Sequence, residues 1–273
     1  MLILEFCYKK IGLKKENGIA LLAQIAMRSE PSEKAEMCNQ LLAGETYEVL
    51  EKTTKWTQIK TNLDNYVGWI NTLQHAQFAL PEYLQPKVCT QFPCTRIIIK
   101  KQVYYLPFGA LLHKKEDQYF LGDAIVEHFS ESVLPETSSE NDRTAQLLHY
   151  AKAFLHTPYL WGGRTFMGID CSAFVQLCCR AVGIFLPRDS YQQAELGEKV
   201  EWTVLARSGD IAFFAAAPES TKVTHVGILW SNQQIIHATY EVRIDKLDHI
   251  GIFNTDLQQY THYLVAVKRF ITD

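Results

Sequence analysis

No apolar run in the 273-residue sequence approaches the roughly 18 residues that a bilayer-spanning helix needs. No excess of one charge is present either. The formal net charge of -3 gives no bulk attraction for nucleic acid or an anionic membrane. Seven cysteines occur, Cys7, Cys38, Cys89, Cys94, Cys171, Cys178 and Cys179, but paired CxxC spacing is missing, so the sequence offers no zinc site. An odd, irregular set of thiols suits a reducing compartment better than a disulfide framework. The start, "MLILEFCYKKIGLKKENGIALLAQ", lacks the order of a secretory leader: its apolar residues come first, its lysines follow, and no small-residue cleavage site appears. These absences set the expectation of a cytoplasmic protein, periplasmic if a leader was trimmed.

What is there reads as ordinary globular protein, 47% hydrophobic and 21% charged. At roughly 150 residues per domain the length implies about two domains, and more if some are small barrels. From Gly18 to Thr72, short β-type runs such as "ETYEVLEK", "KWTQIKT" and "YVGWI" alternate with turn residues. Aromatic and β-branched residues at period two, without helical patterns, predict a small barrel over residues 1–75, and the segment resembles a bacterial SH3-type domain. Fainter runs, "RIIIKKQVYYL" and "QYFLGDAIV", predict a second SH3-like barrel over 76–135. The polar stretch "LPETSSENDRT" predicts a linker over 136–144. Beyond it, residues 145–273 read as an α+β unit: a helix over Arg143 to His156, a second opening near Asp170, then the strand candidates "GDIAFFA", "THVGILW", "QIIHATY" and "YLVAVKRF".

The stretch "WGGRTFMGIDCSAFVQL" passes abruptly from turn residues into a helical pattern, with Cys171 at the break. Asp170 is a good N-cap, which places Cys171 in the first turn, where unpaired N–H groups and the helix dipole favour a thiolate. The same N–H groups suit an oxyanion. A thiol nucleophile also needs an imidazole and a third group that fixes the imidazole tautomer. His225 and His237 stand in neighbouring strand candidates joined by a short turn, where antiparallel pairing brings same-face side chains together. Taken alone, either histidine is equally at home as a satisfied core residue. Cys178 falls on the apolar stripe of its helix and reads as core.

The run "YLWGGRTFMGIDCSAFVQLCCRAVGIFLPRDSYQQ", followed by "GDIAFF", "THVGILW" and "IIHAT", resembles the NlpC-type cell-wall cysteine peptidases, a branch of the papain-like fold. The resemblance implies a helix bearing the cysteine packed on an antiparallel sheet, with Cys171 as nucleophile, His225 as base and His237 as the orienting member. It implies no metal and no cofactor. One departure is Ala173, where the family usually has glycine, expected to narrow the wall of the site slightly. With the two barrels ahead, the chain looks like the γ-D-glutamyl-L-diamino acid endopeptidases that process murein stem peptides carrying a free amino-terminal L-alanine. Carried over, that likeness points to Glu45, Tyr66, Tyr159, Trp161, Asp170, Ser172, Arg188, Asp189 and Ser190 as substrate-binding residues. Glu45 and Asp189 would meet the ammonium group, Arg188 and Ser190 the D-glutamyl carboxylate, and Tyr159 the oxyanion. The expected partner is a murein peptide, with no nucleic acid and no membrane, and the expected state is a monomer, although the oligomeric state is not written in the sequence. An acyltransferase of the same fold and a catalytically degenerate wall-binding protein remain open alternatives. The choice between diaminopimelate and lysine is not written in the sequence.

Overall fold

The computed structural model of the chain describes residues 16–79, 86–129, 139–201 and 205–272. Cys7 and the first three residues of the expected linker, 136–138, lie outside the described residues.

The amino-terminal region is a seven-stranded antiparallel sheet built from β1 (Asn17–Ile19), β2 (Gln24–Arg28), β3 (Met37–Leu42), β4 (Thr46–Lys52), β5 (Trp56–Thr61), β6 (Val67–Asn71) and β7 (Ala76–Gln77). Its order is β3-β2-β6-β5-β4-β1-β7. Alternation carries the fold: Ile25 and Met27, Tyr47 and Val49, and Ile59 and Ile70 turn inward to form one apolar centre, as period-two strands require. "MCNQLLAGE", read in the sequence as leading into a strand, contributes a strand of its own in β3.

The next region consists of β8 (Pro86–Cys89), β9 (Cys94–Ile99), β10 (Gln102–Pro107), β11 (Leu111–Lys115), β12 (Gln118–Leu121), β13 (Ala124–Ile125) and β14 (His128–Phe129). They form two small sheets, β10-β9-β14 and β13-β12-β11-β8. Their inner residues Ile97, Leu106, Phe108 and Leu112 do not close on themselves alone; they share the main core of the molecule with the helices that follow. Phe108 meets Tyr150 and Phe154, and Phe92 meets Phe154 and Phe166, at ring-centroid distances of 4.9 to 6.4 Å.

Helix α1 (Glu140–Ala153) begins three residues before the expected Arg143, because Ser139 caps it by accepting from the Asp142 N–H, and Glu140 and Asp142 suit the positive end of the helix. It therefore consumes most of the described part of the expected linker. It ends at Ala153, with Phe154 turned fully into the core. Helix α2 (Cys171–Ala181) is preceded by the short hairpin β15 (Arg164–Thr165) and β16 (Gly168–Ile169) and followed, after a loop, by the single turn α3 (Ser190–Gln193).

The remaining strands are β17 (Glu198–Val200), β18 (Ile211–Ala215), β19 (His225–Ser231), β20 (Gln234–Ala238), β21 (Val242–Leu247), β22 (Gly251–Asn254) and β23 (Gln259–Arg269). Each of β18 to β23 pairs antiparallel with the next, and β23 pairs back onto β18, so the expected sheet is a closed six-stranded barrel. Closure is possible because β23 is eleven residues long, enough to serve β18 on one edge and both β22 and β17 on the other. The inner face holds Phe214, Leu229, Ile235, Leu247 and Ile252. The outer face presents Val226, Ile228 and Ile236 to α2. Every residue of α2 is buried, its polar ones included, because α1, the first barrel and the region of β8 to β14 cover the sides turned away from the six-stranded barrel.

Candidate active site

Cys171 is the first residue of α2, and the sequence dictates that start locally. Asp170 is extended (φ -94, ψ 172) and its Oδ1 accepts from the Ala173 N–H at 2.9 Å. Its Oδ2 accepts from the Gly162 N–H at 2.9 Å, and Arg188 grips both oxygens at 2.9 and 2.5 Å. Gly162 sits at φ +75 so close to the first barrel that a Cβ there would lie 2.2 Å from the Met37 carbonyl oxygen. Gln193 of α3 donates to the Ser172 and Pro187 carbonyls, tying the loop to the start of the helix. The Cys171 sulfur is within reach of the backbone N–H of Val226, the residue after His225, so the helix start and β19 meet at the thiol.

His225 opens β19, and β20 pairs with it so that Gly227 lies opposite His237. His225 and His237 are therefore diagonal neighbours on the inner face of the barrel, joined by a 2.8 Å hydrogen bond from ring to ring. A Cβ on Gly227 would come within 2.8 Å of the His237 Cβ, so only glycine leaves room for His237 to lean across. The same diagonal step repeats on the next strand. β21 pairs His237 with Arg243, and Asp245, two residues on, holds His237 Nε2 at 3.0 Å. Arg243 donates to the second Asp245 oxygen at 2.9 Å and to Asp256 at 2.7 Å. From β23, His262 stacks on His225 with ring centroids 4.0 Å apart.

Nitrogens of His225, His237 and His262 lie within 4.8 Å of one another, a spacing that invites an ion. Zinc would sit about 2.0–2.1 Å from each nitrogen with the lone pairs converging. Here two rings already share a hydrogen bond and two are stacked 27° from parallel, so their lone pairs point past each other. The arrangement is built to pass or hold a proton.

In front of the thiol lies a cleft of about 330 Å³ lined by the first barrel, the start of α2, the segment at α3 and the loop that leads into β19. It gathers Tyr66, Trp161, Asp170, Cys171, Ser172, Arg188, Asp189 and Ser190 of the residues expected from sequence. Tyr159 is half-buried and is not among the residues lining the cleft, but its phenol is near enough to feel Cys171 and Asp170. Glu45 is not at the cleft. Its carboxylate is 3% exposed and is held by Arg164 at 2.8 and 2.9 Å, Arg180 at 2.7 Å and the Leu42 N–H at 3.0 Å, so it has no lone pair to spare for a substrate. The first-barrel carboxylate that does face the cleft is Glu36, beside Cys38, and it accepts from the Trp161 indole N–H. Arg188 also differs from expectation. Its fork is spent on Asp170, Ser172 and Asn39, so it anchors the helix cap and offers no open bidentate face. Ala173 is fully buried in the main core, and its methyl group leaves the cleft wall as it was.

Residues 156–262 match the NlpC/P60 family, and residues 27–74 match the bacterial dipeptidyl-peptidase SH3 domain. Residues 156–262 are an NlpC/P60 domain. The chain is 24% identical over 212 residues to a γ-D-glutamyl-L-lysine dipeptidyl-peptidase of Bacillus subtilis, a match covering 73% of this chain and 71% of that protein. It is 44% identical over 82 residues to the murein DD-endopeptidase MepS/murein LD-carboxypeptidase of Escherichia coli, covering 30% of this chain and 42% of that one. A crystal structure of an NlpC/P60 family protein from Bacillus cereus superposes with a TM-score of 0.75 over 94% of this chain and 100% of that one, at 19% identity, which speaks for the fold.

The electrostatics of the NlpC/P60 domain differ from a standing ion pair. Burial and the Asp170 charge push the Cys171 thiol up to about 12, although the Val226 and Ser172 amides and Arg188 pull the other way. Burial, His262 and His237 hold the His225 imidazole well below its ordinary value. Both shifts work against a standing thiolate–imidazolium pair, because burial disfavours charge on either group. Asp189 rises as well, through burial and the Asp170 charge against the pull of Arg188, which leaves a half-buried carboxyl facing the cleft in want of a cation.

Proposed function

We propose that the protein is a cysteine peptidase of papain-like arrangement that hydrolyses the γ-D-glutamyl–L-diamino acid bond of murein stem peptides bearing a free amino-terminal L-alanine. The observation that carries this reading is the shared cleft: one wall holds Cys171, and another brings Glu36, Cys38 and Tyr66 from the first barrel. In this reading Glu36 and Asp189, which both line the cleft, meet the ammonium group, and a chain that continues past it is excluded because a blocked amide would leave the two carboxylates unpaired. The Bacillus subtilis relative, named a γ-D-glutamyl-L-lysine dipeptidyl-peptidase, aligns over 73% of this chain and 71% of its own length, which supports the reading.

In this reading the Cys171 sulfur attacks the γ-carbonyl of D-glutamate while His225 takes the thiol proton. First-turn N–H groups of α2 and the Tyr159 hydroxyl, kept protonated by burial and the nearby Cys171 and Asp170 charges, receive the developing oxyanion. The imidazolium then gives its proton to the departing amine of the diamino acid. Water, with its proton taken by His225, releases L-alanyl-γ-D-glutamate and restores the thiol.

The test compares L-alanyl-γ-D-glutamyl-L-lysine with its N-acetylated form. The free peptide should release lysine, and the acetylated one should lose nearly all turnover. Equal cleavage of both would defeat the closed-end reading, and an adduct on an added amine in place of free dipeptide would favour the acyltransferase.

A further inference from the structure

We propose that Asp245, braced by Arg243, is a positioning residue that sets the proton order of the site through His237, so that His225 turns a bare nitrogen to the thiol. The inference rests on reading Cys171 and His225 as nucleophile and base. An ionised carboxylate only accepts, so the 3.0 Å contact puts the His237 hydrogen on Nε2. The opposite nitrogen of His237, Nδ1, is then a lone pair, and the 2.8 Å contact with His225 Nε2 requires the His225 hydrogen to sit on Nε2. A neutral imidazole with Nε2 protonated has an unprotonated Nδ1, the form a base must take. The chain of inference thus runs from β21 through β20 to β19 by two diagonal steps on the inner face of the barrel.

Arg243 is what gives Asp245 its orientation. Its Nη2 donates to Asp245 Oδ1 at 2.9 Å while Nη1 is held by Asp256 at 2.7 Å, and its guanidinium lies over the Tyr240 ring, 5.0 Å from the centroid. His262, stacked on His225, fixes the plane of that ring without joining the line of hydrogen bonds from Asp245 to His225.

The test is Asp245→Asn, which keeps the shape and reverses the proton order. Arg243 keeps the amide oxygen, so the amide nitrogen faces His237 and donates to Nε2. His237 must then carry its hydrogen on Nδ1, and His225, meeting a donor, moves its own to Nδ1, toward the thiol. In ¹⁵N-histidine spectra of the folded variant, the His225 proton should shift from Nε2 to Nδ1. Turnover of L-alanyl-γ-D-glutamyl-L-lysine should fall roughly 10- to 100-fold in kcat, as for orienting partners of functional histidines, with KM within about twofold. Arg243→Gln keeps the carboxylate and should cost only a few-fold in kcat with the His225 tautomer unchanged. Wild-type kcat in Asp245→Asn, or a His225 proton still on Nε2, overturns the inference, as does an Arg243→Gln loss equal to that of Asp245→Asn. If the unaltered protein cleaves no such peptide, the proposed function fails, while the tautomer shift still decides the role of Asp245.

Discussion

In the proposed reaction Cys171 gives its proton to His225, and the pH dependence follows from the state of that imidazole. His225 is held well below the ordinary histidine value of 6.5 by burial and by His262 and His237, so it stays an unprotonated base at pH values where an ordinary histidine is charged. Acid must protonate it to stop the reaction. The acid limb of kcat/KM should therefore have its midpoint well below 6.5, and a midpoint at or above 6.5 would contradict buried His225 as the base. Cys171→Ala should reduce turnover by roughly 10⁴-fold or more, as for nucleophile loss in other acyl-transfer enzymes, with the melting temperature little changed. Sequence reading reached Cys171, His225 and His237 because a helix start and two neighbouring strands leave periodic signals. It missed Asp245, since "VRIDKL" shows only alternation of polar and apolar residues, which an ordinary solvated strand face also shows. Glu45 came from the resemblance, which did not point to Glu36; both are carboxylates near turns of the first barrel, and only tertiary packing reveals that Arg164 and Arg180 close over Glu45.

At the level of elements, the pairing of β19 with β20 decides whether the two histidines meet. Gly227 is the position on which this depends. Gly227→Ala would place a methyl carbon against the His237 Cβ and Ile235, so His237 must retreat and the 2.8 Å contact with His225 must lengthen. The expected outcome is a large loss of kcat with a modest loss of stability; a Gly227→Ala enzyme with wild-type kcat would show that His237 is dispensable. The strands themselves were legible from their period-two runs. Their closure into a barrel was not, because it depends on β23 pairing along both edges, and a single apolar run does not state how many neighbours it has. Likewise α1 begins earlier than its apolar stripe, since a serine cap and two acidic residues extend the helix into a polar segment.

Across the whole molecule, the first barrel is fastened to the peptidase domain by a buried ion triad. Glu45 is held between Arg164 of β15 and Arg180 of α2, and although burial opposes its charge, the two arginines keep its carboxyl down at about 2 against an ordinary 4.5. A folded value below the unfolded one means that this contribution is complete above about pH 4.5 and is lost as pH falls toward about 2. Glu45→Gln leaves two buried arginines underpaired and should cost about 3–5 kcal/mol in denaturant unfolding. Glu36→Gln, at the cleft, should instead raise KM for the free-amine peptide with unfolding unchanged. The reverse pattern would return Glu45 to the substrate. The central claim is that Cys171 forms a thioester with the dipeptide part of the substrate. Rapid quenching of wild-type protein with L-alanyl-γ-D-glutamyl-L-lysine, followed by peptide mass mapping, tests it most directly. An L-alanyl-γ-D-glutamyl adduct on the Cys171 peptide is the predicted result; turnover with an unmodified Cys171, surviving in Cys171→Ala, would contradict it.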